Sequence, residues 1–157
     1  MALRFGRIKQ SQFIPYAKPS QVYRAFLNAK IHSDFTGSKA TGNARLGAKF
    51  TSWNGYISGK IVKLKSGKRI VQEWRTTEFP DKYPASRLDL SFKAKKGGTQ
   101  IVMIHSRVPA SQTARYREGW VSAYWNPLKE YFKKAEKSTR EELTPGPRRS
   151  TETGTID

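Results

Sequence analysis

The sequence predicts an α+β fold of the helix-grip type: a curved antiparallel sheet of about six or seven strands packed on one long C-terminal helix, with two short helices after the first strand. Two observations carry this. In the segment from Arg115 to Phe132, the residues Tyr116, Trp120, Tyr124, Leu128 and Tyr131 or Phe132 recur at steps of three and four, which puts them on one helical stripe. Before it runs a meander of alternating segments. Its clearest member is Ser86 to Lys95, with Leu88, Leu90, Phe92 and Ala94 on one side and Arg87, Asp89, Ser91 and Lys93 on the other. A bulky aromatic stripe must be buried, and a sheet with one apolar face is the surface that buries it.

The elements follow in order. Arg4 to Tyr16 reads as the first strand, stopped by Pro15 and Pro19. Pro19-Ser20-Gln21 opens a short helix with Val22, Tyr23, Phe26 and Leu27 as its apolar stripe, proline being well tolerated in a first turn. Ile31 to Phe35 is a second short helix ended at Thr36-Gly37. Lys39 to Gly42 and Lys49 to Trp53 are short strands divided by Gly47. Tyr56 to Lys65 and Arg69 to Thr77 form a hairpin across Ser66-Gly67-Lys68, and Ser86 to Lys95 and Thr99 to Val108 form another across Gly97-Gly98. Pro109 ends the last strand, and Ser111 or Thr113 is placed to cap the long helix. Pro127 lies inside that helix and should kink it. Residues 1–137 make one domain, and the polar tail 138–157 reads as disordered.

Composition narrows the chemistry. The 157 residues contain no cysteine and only two histidines, His32 and His105, so no metal ligand cluster, disulfide or thiolate site is expected. No paired carboxylates, phosphate loop or cofactor motif is present, and no cofactor is expected. No apolar run reaches the ~18 residues of a membrane span. The start, MALRFGRIKQ, lacks the apolar stretch of a signal peptide, so the expected location is cytoplasmic. Thirty basic residues against twelve acidic ones give a net charge of +18, a field that attracts nucleic acid, acidic membrane surfaces or an acidic protein.

Three groups of residues are candidate sites. The first is a cavity between sheet and helix, lined by Trp53, Trp74, Leu88, Leu90, Phe92, Ile101, Met103, His105, Trp120 and Tyr124. The same residues also serve as plain core filling. Strand parity puts His105 inside and Arg107 on its face near the rim, a pair suited either to holding an anionic ligand or to acid/base work. The alternative is a buried, hydrogen-bonded histidine. His32-Ser33-Asp34 is not a triad, since adjacent helical residues point in different directions. Glu73, opposite in face to Trp74 and near arginines, reads as a surface ion pair. The second group is a basic surface of Lys60, Lys63, Lys65, Lys68 and Arg69 around one hairpin and Lys93, Lys95 and Lys96 around the next, fit to grip phosphates or an acidic partner. The third is an apolar spot, Val102 and Ile104 with Val71 nearby, on the face meant for water.

Five segments in order resemble one family: VYRAFLNAKIHSDFTG at Val22–Gly37, GAKFTSWNGYISGKIVKL at Gly47–Leu64, RIVQEWRTTEFP at Arg69–Pro80, GGTQIVMIHSRVP at Gly97–Pro109 and EGWVSAYWNPLKEYF at Glu118–Phe132. They are similar to the C-terminal domain family of the activator of heat-shock protein 90 ATPase, within the START-like, or SRPBCC, superfamily. The resemblance covers nearly all of residues 10 to 135 and implies the helix-grip fold. It implies the stand-alone form of the domain, without the eukaryotic co-chaperone's separate N-terminal domain. The function it implies is a non-catalytic module that binds a small hydrophobic or aromatic ligand or docks on a chaperone, as a monomer or weak homodimer. Cyclases and hydrolase-like enzymes share the superfamily, which keeps an enzyme using His105 as an alternative. Polyanion binding through the basic surface is the other.

Overall fold

The computed structural model describes residues 2–143. Seven antiparallel strands form one sheet: β1 (Phe5–Pro15), β2 (Thr41–Gly42), β3 (Lys49–Ser52), β4 (Ile57–Lys65), β5 (Arg69–Thr76), β6 (Ser86–Lys95) and β7 (Gly98–Pro109). Their spatial order is β1-β7-β6-β5-β4-β3-β2. Strands β2 to β7 are therefore a simple meander, and β1 closes it beside β7. The link from β1 to β2 crosses the whole sheet and is made by α1 (Pro19–Leu27) and α2 (Ala29–Thr36). A 3₁₀ turn (Ala110–Gln112) then leads into α3 (Thr113–Trp120), a π-helical turn (Val121–Trp125) and α4 (Asn126–Leu143). Helix α4 runs on through Ser138 to Leu143, and the rest of the polar tail lies outside the described residues.

Local chemistry explains the helix ends. The Lys18 backbone N–H donates to Gln21 Oε1 at 2.7 Å, which with Pro19 in the first turn starts α1. Asn28 Oδ1 accepts from the Ile31 N–H at 3.0 Å and starts α2, and Gly37 at φ 75° ends it. The long helix departs from expectation at its start: neither Ser111 nor Thr113 caps it, and Thr113 Oγ1 donates back to the Pro109 carbonyl at 3.2 Å. Gly6 lets that helix start sit close to β1, because a Cβ there would collide with Thr113 Oγ1.

The core lies between the inner sheet face and the helices. Ile70, Trp74, Leu88, Leu90, Phe92, Ile101 and Met103 face inward from the central strands. Tyr116, Trp120, Tyr124, Leu128 and Phe132 meet them from the long helix, while Tyr131 is only partly buried. Phe26 ties α1 to this layer, stacked on Tyr124 at 5.9 Å between ring centroids.

Three irregularities change what simple periodicity implies. The helix is not broken at Pro127. Instead the π turn precedes it, with the Asn126 N–H bonded to the Val121 carbonyl five residues back. The widened turn accommodates a residue that has no N–H and whose ring presses on the preceding carbonyls. It also adds one residue to the buried stripe, so Trp125 is fully buried beside Tyr124, its Nε1–H donating to Gln10 Oε1 at 2.6 Å. On β4, a bulge between Ile61 and Lys63 puts Lys60 and Lys63 on one face, where strict alternation would separate them. On β7, Gly6 pairs with Val108 but Ile8 pairs with His105, and Arg107 takes a positive φ of 58°. This bulge turns Arg107 outward over the Phe5 ring, 4.7 Å from its centroid. The expected His105–Arg107 pair on one inner face therefore does not form.

Candidate functional site: an aromatic pocket beside the long helix

A pocket of about 380 Å³ opens between the β3–β4 turn, the start of β4, the end of β5 and the helix α3 with its π turn. Its walls are mostly aromatic, with rings from Trp53, Tyr56, Trp74, Tyr116, Trp120 and Tyr124. Gly119 and Ala123 supply the open side of the helix. A Cβ on Gly119 would meet nothing within 4 Å, so the missing side chain is part of the space. The volume is at the low end of the ~300–1,000 Å³ range of small-molecule sites.

The mouth is polar. Tyr56 donates its hydroxyl to Glu78 Oε1 at 2.5 Å, and Arg115 pairs with the same oxygen at 3.3 Å. Burial, followed by that carboxylate, pushes the Tyr56 hydroxyl well above its usual range. Behind them Tyr116 donates to Gln112 Oε1 at 2.6 Å and lies 2.7 Å from Thr76 Oγ1. Glu78, and not Glu73, is thus the carboxylate with an arginine partner here. Glu73 is exposed between its cross-strand neighbours Lys60 and Arg87.

The wall at Trp53 carries strain. Trp53 and Asn54 both have positive φ, 53° and 57°, in the turn that Gly55 completes at 90°. A bulky aromatic residue rarely occupies that region. Its indole Nε1–H is also buried without a hydrogen-bond partner.

The sequence-derived cavity residues separate into two groups. Trp53, Trp74, Trp120 and Tyr124 line the pocket. Leu90, Phe92, Ile101, Met103 and His105 do not line it and are packed into the solid core. Leu88 borders only a separate void of about 20 Å³ beneath Phe26 and His32, room for one water at most. The pocket residues that sequence reasoning missed are Ile57, Arg115, Tyr116, Gly119 and Ala123, together with Tyr56, which it placed only as the start of a strand. Gly119 beside Trp120 was the visible signal, as a gap in the aromatic helix face.

His105 sits directly behind this wall and is fully buried. Its Nδ1 accepts from Trp120 Nε1–H at 3.1 Å, and its Nε2 lies 2.7 Å from Ser86 Oγ. Ser86 gives its own proton to the Trp74 carbonyl at 2.7 Å, so His105 Nε2 carries the hydrogen. Both ring nitrogens are engaged, and burial lowers the histidine pKa to about 3. It is a neutral brace between sheet and helix, with no free nitrogen for acid/base work. His32 is a second brace. Nδ1 bonds the Phe26 carbonyl at 3.1 Å and Nε2 lies 2.9 Å from the Tyr124 hydroxyl, and burial lowers its pKa too. Burial pushes the Tyr124 hydroxyl up to about 12. Ser33 bonds the Ala29 carbonyl and Asp34 pairs with Lys30, so the three adjacent residues share no chemistry.

The basic residues lie away from the pocket. Lys60, Lys63, Lys65, Arg69 and Lys93 stand on the outer sheet face, and Lys68, Lys95 and Lys96 at the two hairpin turns at one end of the sheet. Arg69 is engaged by Asp89 through two bonds of 3.1 and 2.6 Å. Val102 and Ile104 are half-buried on that face, whereas Val71 is fully buried. Among the described residues no group of three or more His, Cys, Asp or Glu is placed to hold a metal, and no helix is long and apolar enough to cross a membrane.

A family model described as "Activator of Hsp90 ATPase homolog 1-like protein" matches residues 16–133. The chain belongs to this family. The activator of 90 kDa heat shock protein ATPase homolog 1 of Homo sapiens is 33% identical over 114 residues, spanning 73% of this chain and 33% of that protein. The chain thus matches about a third of the length of the curated relatives. The family fold is also seen in an Hsp90 activator from Plasmodium falciparum, with a TM-score of 0.70 at 20% identity over 83% of this chain and 96% of that one. CalU16 from Micromonospora echinospora superposes with a TM-score of 0.64 at 19% identity, covering 89% and 83%.

Proposed function

We propose that this member of the Hsp90-activator family is a non-catalytic binding module that takes a flat, apolar or aromatic small molecule into the pocket beside α3. The observation that carries the reading is a 380 Å³ space with six aromatic side chains in its walls, kept open by Gly119. Rings at its sides favour a planar guest, and the Tyr56–Glu78–Arg115 cluster at the mouth supplies polar contacts that fix its orientation. Trp53, held at a strained positive φ, is the wall best placed to shift when a guest enters. Among the described residues no free acid or base faces the space, which favours binding over turnover. A cytoplasmic site of action belongs to the same proposal.

Gly119→Leu tests it, because a Cβ at this position meets nothing within 4 Å and the rest of the side chain takes up pocket space. Native mass spectrometry of protein purified at high salt, followed by the denatured spectrum, should show a small molecule released from the wild type. The Leu variant should fold and carry none. An apo mass for freshly purified wild type, with no uptake of planar aromatic compounds, would count against the reading.

Family membership supports a second reading, docking on an Hsp90-type chaperone and stimulation of its ATPase, the activity named for the relatives. It predicts stimulation of the host's chaperone by this chain, reduced as ionic strength rises. No stimulation at a large excess of the chain would remove it.

A further inference from the structure

The outer face of the sheet carries a feature that the pocket does not use. Lys60 and Lys63 share this face because of the β4 bulge, and Lys65 follows two residues on. Lys49 of β3 stands directly opposite Lys60. All four lysines are exposed, and none is in an ion pair among the described residues. They form a column along β3 and β4 with a step from Lys63 to Lys65 of about 6.7 Å. Two like-charged pairs face each other across strands here, Lys49 with Lys60 and Lys65 with Arg69, an arrangement that destabilises a bare sheet. Only Glu73 and Asp89 oppose this charge on the neighbouring strands, and Asp89 is already held by Arg69.

The rest of the face is rich in small hydroxyls. By register Thr51, Ser58, Ser91 and Ser106 point the same way as the lysines. Lysine charges along one strand, with hydroxyl donors elsewhere on the same face, suit phosphate oxygens, which need point charges and hydrogen bonds. The strands here present no outward aromatic platform on which unpaired bases would stack.

We propose that this lysine column is a docking face for the phosphate backbone of duplex nucleic acid, bound without regard to sequence. An anion laid along it relieves the cross-strand repulsion that the isolated sheet bears. The face is opposite the pocket, so this activity is independent of the small-molecule reading.

The test is fluorescence anisotropy with a labelled mixed-sequence DNA duplex, repeated with duplex RNA, over a salt series. The variant carries Lys49→Gln, Lys60→Gln, Lys63→Gln and Lys65→Gln together. A control with Lys82→Gln, Lys133→Gln, Lys134→Gln and Lys137→Gln removes equal charge from exposed positions elsewhere. Wild type should bind with steep salt dependence. The column variant should bind at least about tenfold more weakly, with the logarithmic salt slope reduced by about 0.9 for each phosphate that is no longer neutralised. The control should stay within about twofold of wild type. Equal losses of affinity in the two variants would overturn the proposal in favour of bulk charge. Tighter binding of poly-glutamate than of either duplex at the same salt would overturn it in favour of an acidic protein partner.

Discussion

His105 has no role at the surface, yet it sets how the protein responds to acid. Burial holds its folded pKa near 3, against about 6.5 in an unfolded chain. Between those values the unfolded state binds a proton that the folded state refuses. Stability is therefore full above about pH 6.5 and falls at up to about 1.4 kcal/mol per pH unit as pH drops toward 3. His32, also lowered by burial, adds to the loss in the same direction. Urea midpoints followed by tryptophan fluorescence should decline steadily from pH 7 to pH 4. His105→Gln should be less stable at pH 7 but lose less over that interval. A slope unchanged in the variant would show that His105 is not the sensor. Trp120→Phe probes the same brace from the helix side. It removes the donor to His105 Nδ1 and leaves a buried acceptor unpaired, a cost of about 1–3 kcal/mol in the same urea assay at pH 7.

At the scale of elements, the α3–π–α4 helix shows what periodicity reveals and what it hides. The stripe Tyr116, Trp120, Tyr124, Leu128 and Phe132 was readable because bulky residues at helical spacing have only one place to go. Trp125 was not readable, because the π turn shifts the phase by one residue and nothing local announces that shift except Pro127. The β bulges act in the same way. One moves Arg107 out of the face that alternation assigns to it, and the other brings Lys60 and Lys63 together. The order of strands and helices was legible from turn residues and alternation, whereas the pocket was legible only in its tryptophans and Tyr124. Its location depends on the turn at Trp53 and on where Gly119 falls along the sheet, and both are tertiary outcomes. Gly119 itself gives an element-scale prediction. It lies in a helix without positive φ, and a Cβ there meets nothing. Gly119→Ala should raise stability by about 1 kcal/mol through helix propensity alone. Thermal melts without added ligand would read this, and a fall in Tm would mean that the open pocket is needed for folding.

For the whole molecule the dominant quantity is the net charge of +18. Its sign follows from lysines and arginines spread over every helix and most strands, with few carboxylates to answer them. The ion pairs Lys30–Asp34, Arg69–Asp89 and Arg115–Glu78 are at or near the surface, where such pairs contribute little. Self-repulsion should therefore outweigh attraction in the folded state, and screening should help the fold. Raising sodium chloride from ~0.1 M to ~1 M shortens the Debye length from about 10 Å to about 3 Å. That range spans the separation of Lys49 and Lys60, which face each other across adjacent strands. The expected outcome is a Tm increase of about 2–5 °C in chloride. Replacing the four column lysines by glutamine should raise Tm at low salt and shrink the salt response, because the closest repelling pairs are gone. Filling the pocket should leave that response untouched, since Gly119 and the column lie on opposite sides of the sheet and distant sites act additively. A Tm that falls with chloride, or a column variant with the wild-type salt response, would mean that the surface charges are arranged more favourably than their count implies.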